Sequence, residues 1–336
     1  HRVVLVGETH HLREHRELIV ELMRELHARG FRQLLFEWTQ VADWLLADYV
    51  NYGGLEPEWA PPQSIGGAMI TAIRDLNRTL PEDERIQVHA IDVTLQDYGG
   101  GESFLWSLGR LAQHLPDPGP LAAFPQGDYD TPESQTVLLE ALQAELKAGR
   151  SGLVASWGQP WYDTVVEMVE VELDSVPIRA IRESNYDKSV RLREDAIKRL
   201  ADSRLQDLSH GTLINYGSTH AQKERLRGTD IEWLGDYLVH KSQAADGSVI
   251  VLEVSAAHIV PVPGSGNPDS DLAASPENEL LRVMNQTWPD QTVFLPLDDP
   301  LFSNGRIPMN FGKIYVGAPK RHYDVFILLP RAQRVP

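Results

Sequence analysis

The sequence predicts an α/β protein with a mainly parallel central sheet, helices on both faces of it, and a helical insertion acting as a cap. Three observations carry this expectation. Short apolar runs rich in Val, Ile and Leu recur along the 336 residues. Amphipathic helical patterns lie between many of them. The runs are apolar almost throughout rather than alternating, as strands of a parallel sheet covered on both faces must be.

The first run, "RVVLV" at 2–6, breaks at Gly7. A helical pattern follows over 14–29, with Leu18, Ile19, Leu22, Met23 and Leu26 on one face and charges on the other. Gly30 is a helix stop, and "RQLLFE" at 32–37 is the second strand, so β–α–β closes within about 37 residues. Further strands are read at "IQVHAID" 86–92, "TLINYG" 212–217, "SVIVLEV" 248–254 and "YDVFILL" 323–329, with a weaker one at "TVFLPL" 292–297. The stretch from about 95 to 180 differs: it carries "YGGGES", "LPDPGP" and "FPQGDYDTPES", then polar helices at 133–149 and about 160–175. The expected division is a core of residues 1–95 and 180–336 with a cap of residues 96–179. Residues 261–279 read as a Pro-, Gly- and Ser-rich loop.

Composition narrows the function. A net charge of −17 disfavours binding to nucleic acid, whose affinity rests on Lys and Arg at phosphates, and to anionic membrane surfaces. No apolar run approaches the roughly 20 residues of a membrane span. The absence of cysteine removes disulfides, thiolate metal sites and a Cys nucleophile. No signal peptide is visible, and the first strand begins almost at once; the sequence fits a soluble cytoplasmic protein or an exported one that has lost a leader. It does not define an oligomeric state.

In an open parallel sheet, ligands bind beyond the carboxyl ends of the strands. There the first strand gives Glu8, Thr9 and His10, the second Glu37 and the third Asp92, while the fourth ends at Gly217 and gives Thr219 and His220. "GETH" at 7–10 and "GSTH" at 217–220 repeat one Gly-x-Thr-His pattern at two strand ends. On a helix expected over about 184–203, Tyr186, Val190, Ile197 and Leu200 form an apolar stripe, and Arg193 falls on it. A charge there needs carboxylate partners, and Glu8 and Glu37 are the expected ones. Arg191 points elsewhere. His11 and His15 read as surface residues at a helix start, and His89 as a satisfied core histidine.

These stretches resemble the superfamily of erythromycin esterases, ChaN-like haem-binding proteins and Tiki/TraB proteins. "VVLVGETHHLREHREL" is similar to the family's strand, Gly-Glu-x(x)-His and following Arg-Glu pair. "GFRQLLFEW" supplies the Glu at the second strand end, "IQVHAIDV" the third strand with its Asp, and "NYDKSVRLREDAIKRL" the Arg-bearing helix. "TLINYGSTHAQ", "IEWLGDYLVHK" and "YDVFILLPRAQRVP" resemble the second His motif, the Leu-Gly helix and the closing strand. The likeness covers about 1–95, 180–260 and the last strand. "HLREH" puts Arg13 and Glu14 three and four after His10, so the family His aligns with His10 rather than His11. Many of the esterases carry one more residue between Glu and His, and Asn-Gly where this chain has Ser-Thr, so macrolide specificity does not carry over.

The resemblance implies a hydrolase of an ester or related acyl bond in a small-molecule or peptide substrate. His10 would be the general base on water, oriented by Glu8 or Glu37. His220 would face it as a second base or electrophile, and Arg193 would hold the carboxylates or stabilise negative charge. Asp92, Arg13, Glu14, Thr9 and Thr219 would support the site or bind substrate. No Gly-x-Ser-x-Gly motif is present, so direct attack by water is favoured over an acyl-enzyme. No cofactor or metal is expected on the esterase reading. The Tiki branch implies instead a metal-dependent peptidase, with Mn, Co or Zn on His10, His220, Glu8 and Glu37. The ChaN-like branch implies a haem or ligand carrier without catalysis.

Overall fold

A computed structural model of the chain describes residues 1–95, 104–206, 209–225, 229–263, 268–275, 278–303, 309–311, 314–316 and 318–335. "YGGGES" and parts of the 261–279 stretch lie outside the described residues. In chain order the elements are β1 (Val3–Glu8), α1 (Arg13–His27), β2 (Phe31–Thr39), α2 (Asp43–Asn51), α3 (Gly67–Asn77), β3 (Gln87–Asp92), α4 (Phe104–His114), α5 (Pro132–Trp157), α6 (Gln159–Ile181), α7 (Tyr186–Leu205) and β4 (Gly211–Gly217). After these come α8 (Leu234–His240), β5 (Val249–Val260), β6 (Ser270–Asp271), α9 (Glu279–Thr287), β7 (Val293–Pro296), β8 (Met309–Phe311), β9 (Ile314–Val316), α10 (Pro319–His322) and β10 (Val325–Gln333).

The fold is α/β with an eight-stranded, mostly parallel sheet in the order β3-β2-β4-β1-β5-β10-β7, with β6 on β5; β8 and β9 pair separately. β1 runs parallel to both β4 and β5, β2 to β4, and β10 to β5, while β7 closes the edge antiparallel to β10. Val3, Leu5 and Val6 are fully buried in β1, which explains why its sequence is apolar on both faces. β5 and β10 outrun their apolar cores because they stay paired to Val260 and Gln333. Gly30, at φ 90°, ends α1 where a residue with a Cβ would be strained, and its N–H bonds back to His27. Among the described residues, no helix is long and apolar enough to cross a membrane.

The chain divides into two compact units. The first comprises His1–Glu37, Ala60–Val88 and Ala201–Pro336, and holds most of the sheet; the second comprises Trp38–Trp59 and His89–Leu200. In the second unit, α5 packs on α6. The Thr131 hydroxyl caps α5 by accepting from the Ser134 N–H, and the helix runs to Trp157, past the point where its polar pattern fades. α6 continues through Pro177 to Ile181. α7 begins as expected, but Tyr186, placed on its apolar stripe by periodicity, is 64% exposed, because a helix's first residue has no preceding turn to cover it.

Candidate active site

β1 lies between β4 and β5, while the chain leaves β1 for β2 on the far side of β4. Such a reversal of winding is where an open parallel sheet opens a crevice beyond its strand ends. Glu8 is in register with Gly217, so the two Gly-x-Thr-His segments leave neighbouring parallel strands side by side.

The structure brings four of the sequence-predicted residues together. His10 Nδ1 lies 2.6 Å from Glu8 Oε1. His10 Nε2 is 3.6 Å from Glu37 Oε2, and His220 Nε2 is 4.0 Å from Glu37 Oε1, so one carboxylate faces both rings. Glu37 Oε2 also accepts from the Gly217 N–H at 2.8 Å. The glycine is required by this close approach: a Cβ at position 217 would sit 2.8 Å from His10 Nε2 and 3.0 Å from Glu37 Oε2. His10 is half exposed, whereas Glu37 and His220 are nearly buried. The His220 ring is held edge-on between Tyr216, at 4.9 Å, and Trp233, at 5.3 Å.

Two residues of this cluster escaped the sequence reading. His15 is 1% exposed and is not a surface residue. Its Nε2 is 2.8 Å from Asn215 Oδ1, and Asn215 Nδ2 donates to Glu8 Oε2 at 2.7 Å. The carboxylate can only accept, so the Asn215 amide oxygen faces His15 and the His15 proton sits on Nε2. Burial lowers the His15 pKa against the pull of Glu8, which keeps the ring neutral. Burial also acts to raise the Glu8 pKa, but the His10 hydrogen bond, the electrostatic pull of His15 and then His10, and the Asn215 amide outweigh it and bring it to about 2. Glu8 is therefore ionised across the physiological range, and the His10 proton facing it is on Nδ1. His15 was legible after all: it lies four before Ile19 on the buried stripe of α1.

A third overlooked residue is Glu253, fully buried in the middle of β5 and opposite Gly7. Its Oε1 lies 2.8 Å from Ser218 Oγ, and burial pushes its pKa up to about 8 against that hydrogen bond. An acid inside the apolar run "SVIVLEV" was the available signal.

Arg13 pairs with Glu14 at 2.8 Å and approaches Glu17, and Glu14 accepts the Gln333 N–H at 2.6 Å, which ties α1 to β10. Thr9 is half-buried in the turn after β1, and the Thr219 carbonyl accepts from Gln222 at 3.1 Å. Arg193 is paired and largely buried, as its stripe position requires: its Nε donates to Asp92 Oδ1 at 3.0 Å and its Nη2 to Asp92 Oδ2, a fork on a fully buried carboxylate in the second unit. His89 is satisfied by Asp43 at 2.9 Å. Among the described residues, no group of three or more His, Asp or Glu side chains is disposed to hold a metal ion.

Solved structures share the fold of the chain. No family model and no curated protein matches the sequence. A point mutant of the erythromycin esterase EreC, in its open conformation, matches with a TM-score of 0.69 at 14% identity, over 100% of this chain and 92% of that one. A Bacillus cereus protein matches with a TM-score of 0.68 at 13% identity, over 99% and 89%. A succinoglycan biosynthesis protein gives 0.68 at 14%, over 99% and 88%. The chain has the erythromycin-esterase fold.

Proposed function

We propose that the chain is a hydrolase that cleaves an ester or related acyl bond with water activated by His10. The observation that carries this reading is the His10 ring held by Glu8 on one nitrogen, with its other nitrogen turned to Glu37 beside His220. Glu8, kept ionised, fixes the proton on Nδ1 and leaves the Nε2 lone pair toward the crevice. A water between His10 Nε2 and Glu37 can donate one hydrogen to each. As its oxygen attacks the acyl carbon, its proton passes to Nε2, and the alkoxide that departs takes that proton back, giving acid and alcohol. His220, immobilised by Tyr216 and Trp233, is placed to donate to the developing oxyanion. The fold shared with an esterase fits this chemistry; the substrate is not carried over with it.

The test is a panel of esters, lactones and peptides run with the purified chain, with elemental analysis, a chelator arm and haem exposure alongside. Turnover that survives chelation and vanishes in His10→Ala supports the proposal. Turnover restored only by Mn, Co or Zn would move the chain to the metal-dependent reading. A Soret band with no turnover would move it to the carrier reading.

A further inference from the structure

Ser218 presents a proton-counting problem. Its Oγ lies 2.9 Å from the Glu8 carbonyl oxygen and 2.8 Å from Glu253 Oε1. A hydroxyl has one hydrogen, and two acceptors face it. The Glu8 carbonyl has no proton to offer. If both contacts are hydrogen bonds, Glu253 is the donor: its acid O–H points at Ser218 Oγ, and the Ser218 O–H points at Glu8. The surroundings agree. Glu253 is wholly buried and, among the described residues, its Oε2 has no hydrogen-bond partner, an arrangement far less costly for a neutral acid than for an anion. Gly7 leaves room for that oxygen, since a Cβ there would stand 2.4 Å from it.

We propose that Glu253 is a positioning residue that works as a neutral carboxylic acid, clamping the turn that carries His220 to the end of β1 through Ser218. Ser218 lies between Gly217, which binds Glu37, and His220, and its own N–H also bonds to the Glu8 carbonyl. The clamp therefore sets the spacing between the two histidine-bearing strand ends. The value of that spacing for turnover rests on the hydrolase reading; the protonation of Glu253 does not.

β1 offers the backbone of Gly7, and β10 sets Phe326 beside it in register. The turn after β4 offers Ser218, and beyond it Lys223 is held by Asp324. Tyr323 is a titratable neighbour, its phenol pushed well up by burial and by the pull of Glu253. An acid whose folded pKa, about 8, exceeds its ordinary 4.5 contributes stability that is complete below 4.5 and is lost as pH rises through about 8.

Infrared difference spectra of the native chain against Glu253→Gln test the protonation directly. A protonated-carboxyl stretch should be present well below pH about 8, disappear above it, and be missing from the variant throughout. Its absence at low pH from the native spectrum overturns the proposal whether or not any ester is cleaved. The positioning role is read by the ring NMR signals of His220. They should move through the same pH in the native chain and hold still in Glu253→Gln, whose amide donates to Ser218 at every pH. With a substrate in hand, native turnover should fall about tenfold per pH unit above that point, and the Gln variant should stay flat. Ser218→Ala, a smaller change, should lose the coupling while keeping the infrared band. Native His220 signals that ignore the transition would leave Glu253 as a buried acid with no part in the site, and the clamp would be wrong.

Discussion

Glu8 uses both carboxylate oxygens: Oε1 takes His10, and Oε2 takes Asn215, which is held in turn by His15. The half-exposed His10 imidazole is thus oriented by a chain of three residues on β1, β4 and α1. On the hydrolase reading, His10→Ala should abolish turnover with the fold retained, at the cost of a lower melting temperature from the lost Glu8 hydrogen bond. His11, beside it at φ 64°, is exposed, and its ring stands 6.2 Å away, edge to face. His11→Ala should therefore be mild, and equal loss from the two substitutions would remove His10 from the role of base. The same network makes an acid-side prediction. A carboxyl lowered from 4.5 to about 2 contributes stability that is present above 4.5 and is lost as pH falls through about 2. With a small exposed edge on Glu8, the contribution is on the order of 2–3 kcal/mol. Unfolding free energies from urea titrations of the native chain and Glu8→Gln should differ by about that amount near neutrality and converge in acid.

At the scale of elements, α7 tests how far a periodicity argument reaches. Arg193 sits on the helix's buried face and forks onto Asp92, whose side chain has no exposure. Removing one member leaves the other charged and buried, so Arg193→Met should cost about 3–5 kcal/mol in chemical denaturation. Asp92→Asn should cost a similar amount, and the double substitution should cost clearly less than the sum. The helix itself, its buried charge and the need for a carboxylate were legible in the sequence, because a 3.6-residue period fixes which side chains share a face. That Asp92 supplies one such carboxylate was not legible, because pairing across 101 residues depends on tertiary placement. The strands were legible for a similar reason: burial on both faces of a parallel sheet forces continuous apolar runs. That same continuity hid Asn215 and Glu253. A polar residue within an apolar run reads as an interruption until the register shows Glu253 opposite Gly7 and the hydrogen bonds show Asn215 reaching Glu8. His15 was hidden differently, by the expectation that titratable residues in a first helical turn face water.

For the molecule as a whole, the sheet order and the charge act together. Two Gly-x-Thr-His segments far apart in sequence share one site because β4 is inserted between β2 and β1, beside the strand that carries the first motif. That site gathers two carboxylates, Glu8 and Glu37, in a chain whose net charge is −17. A strongly one-signed protein biases the encounter with charged ligands, and the bias fades as salt shortens the screening length from about 30 Å at 0.01 M to about 3 Å at 1 M. Anionic esters should accordingly be the poorer substrates at low salt. For three esters of matched size and reactivity, one cationic, one neutral and one anionic, kcat/KM should fall in that order at low ionic strength. The ratios should contract toward unity as salt is added, through KM and the association rate rather than kcat. An anionic ester that outpaces its cationic match at low salt would mean that a local cation in the crevice dominates over the field of the whole chain, and would direct the search for substrate toward acids.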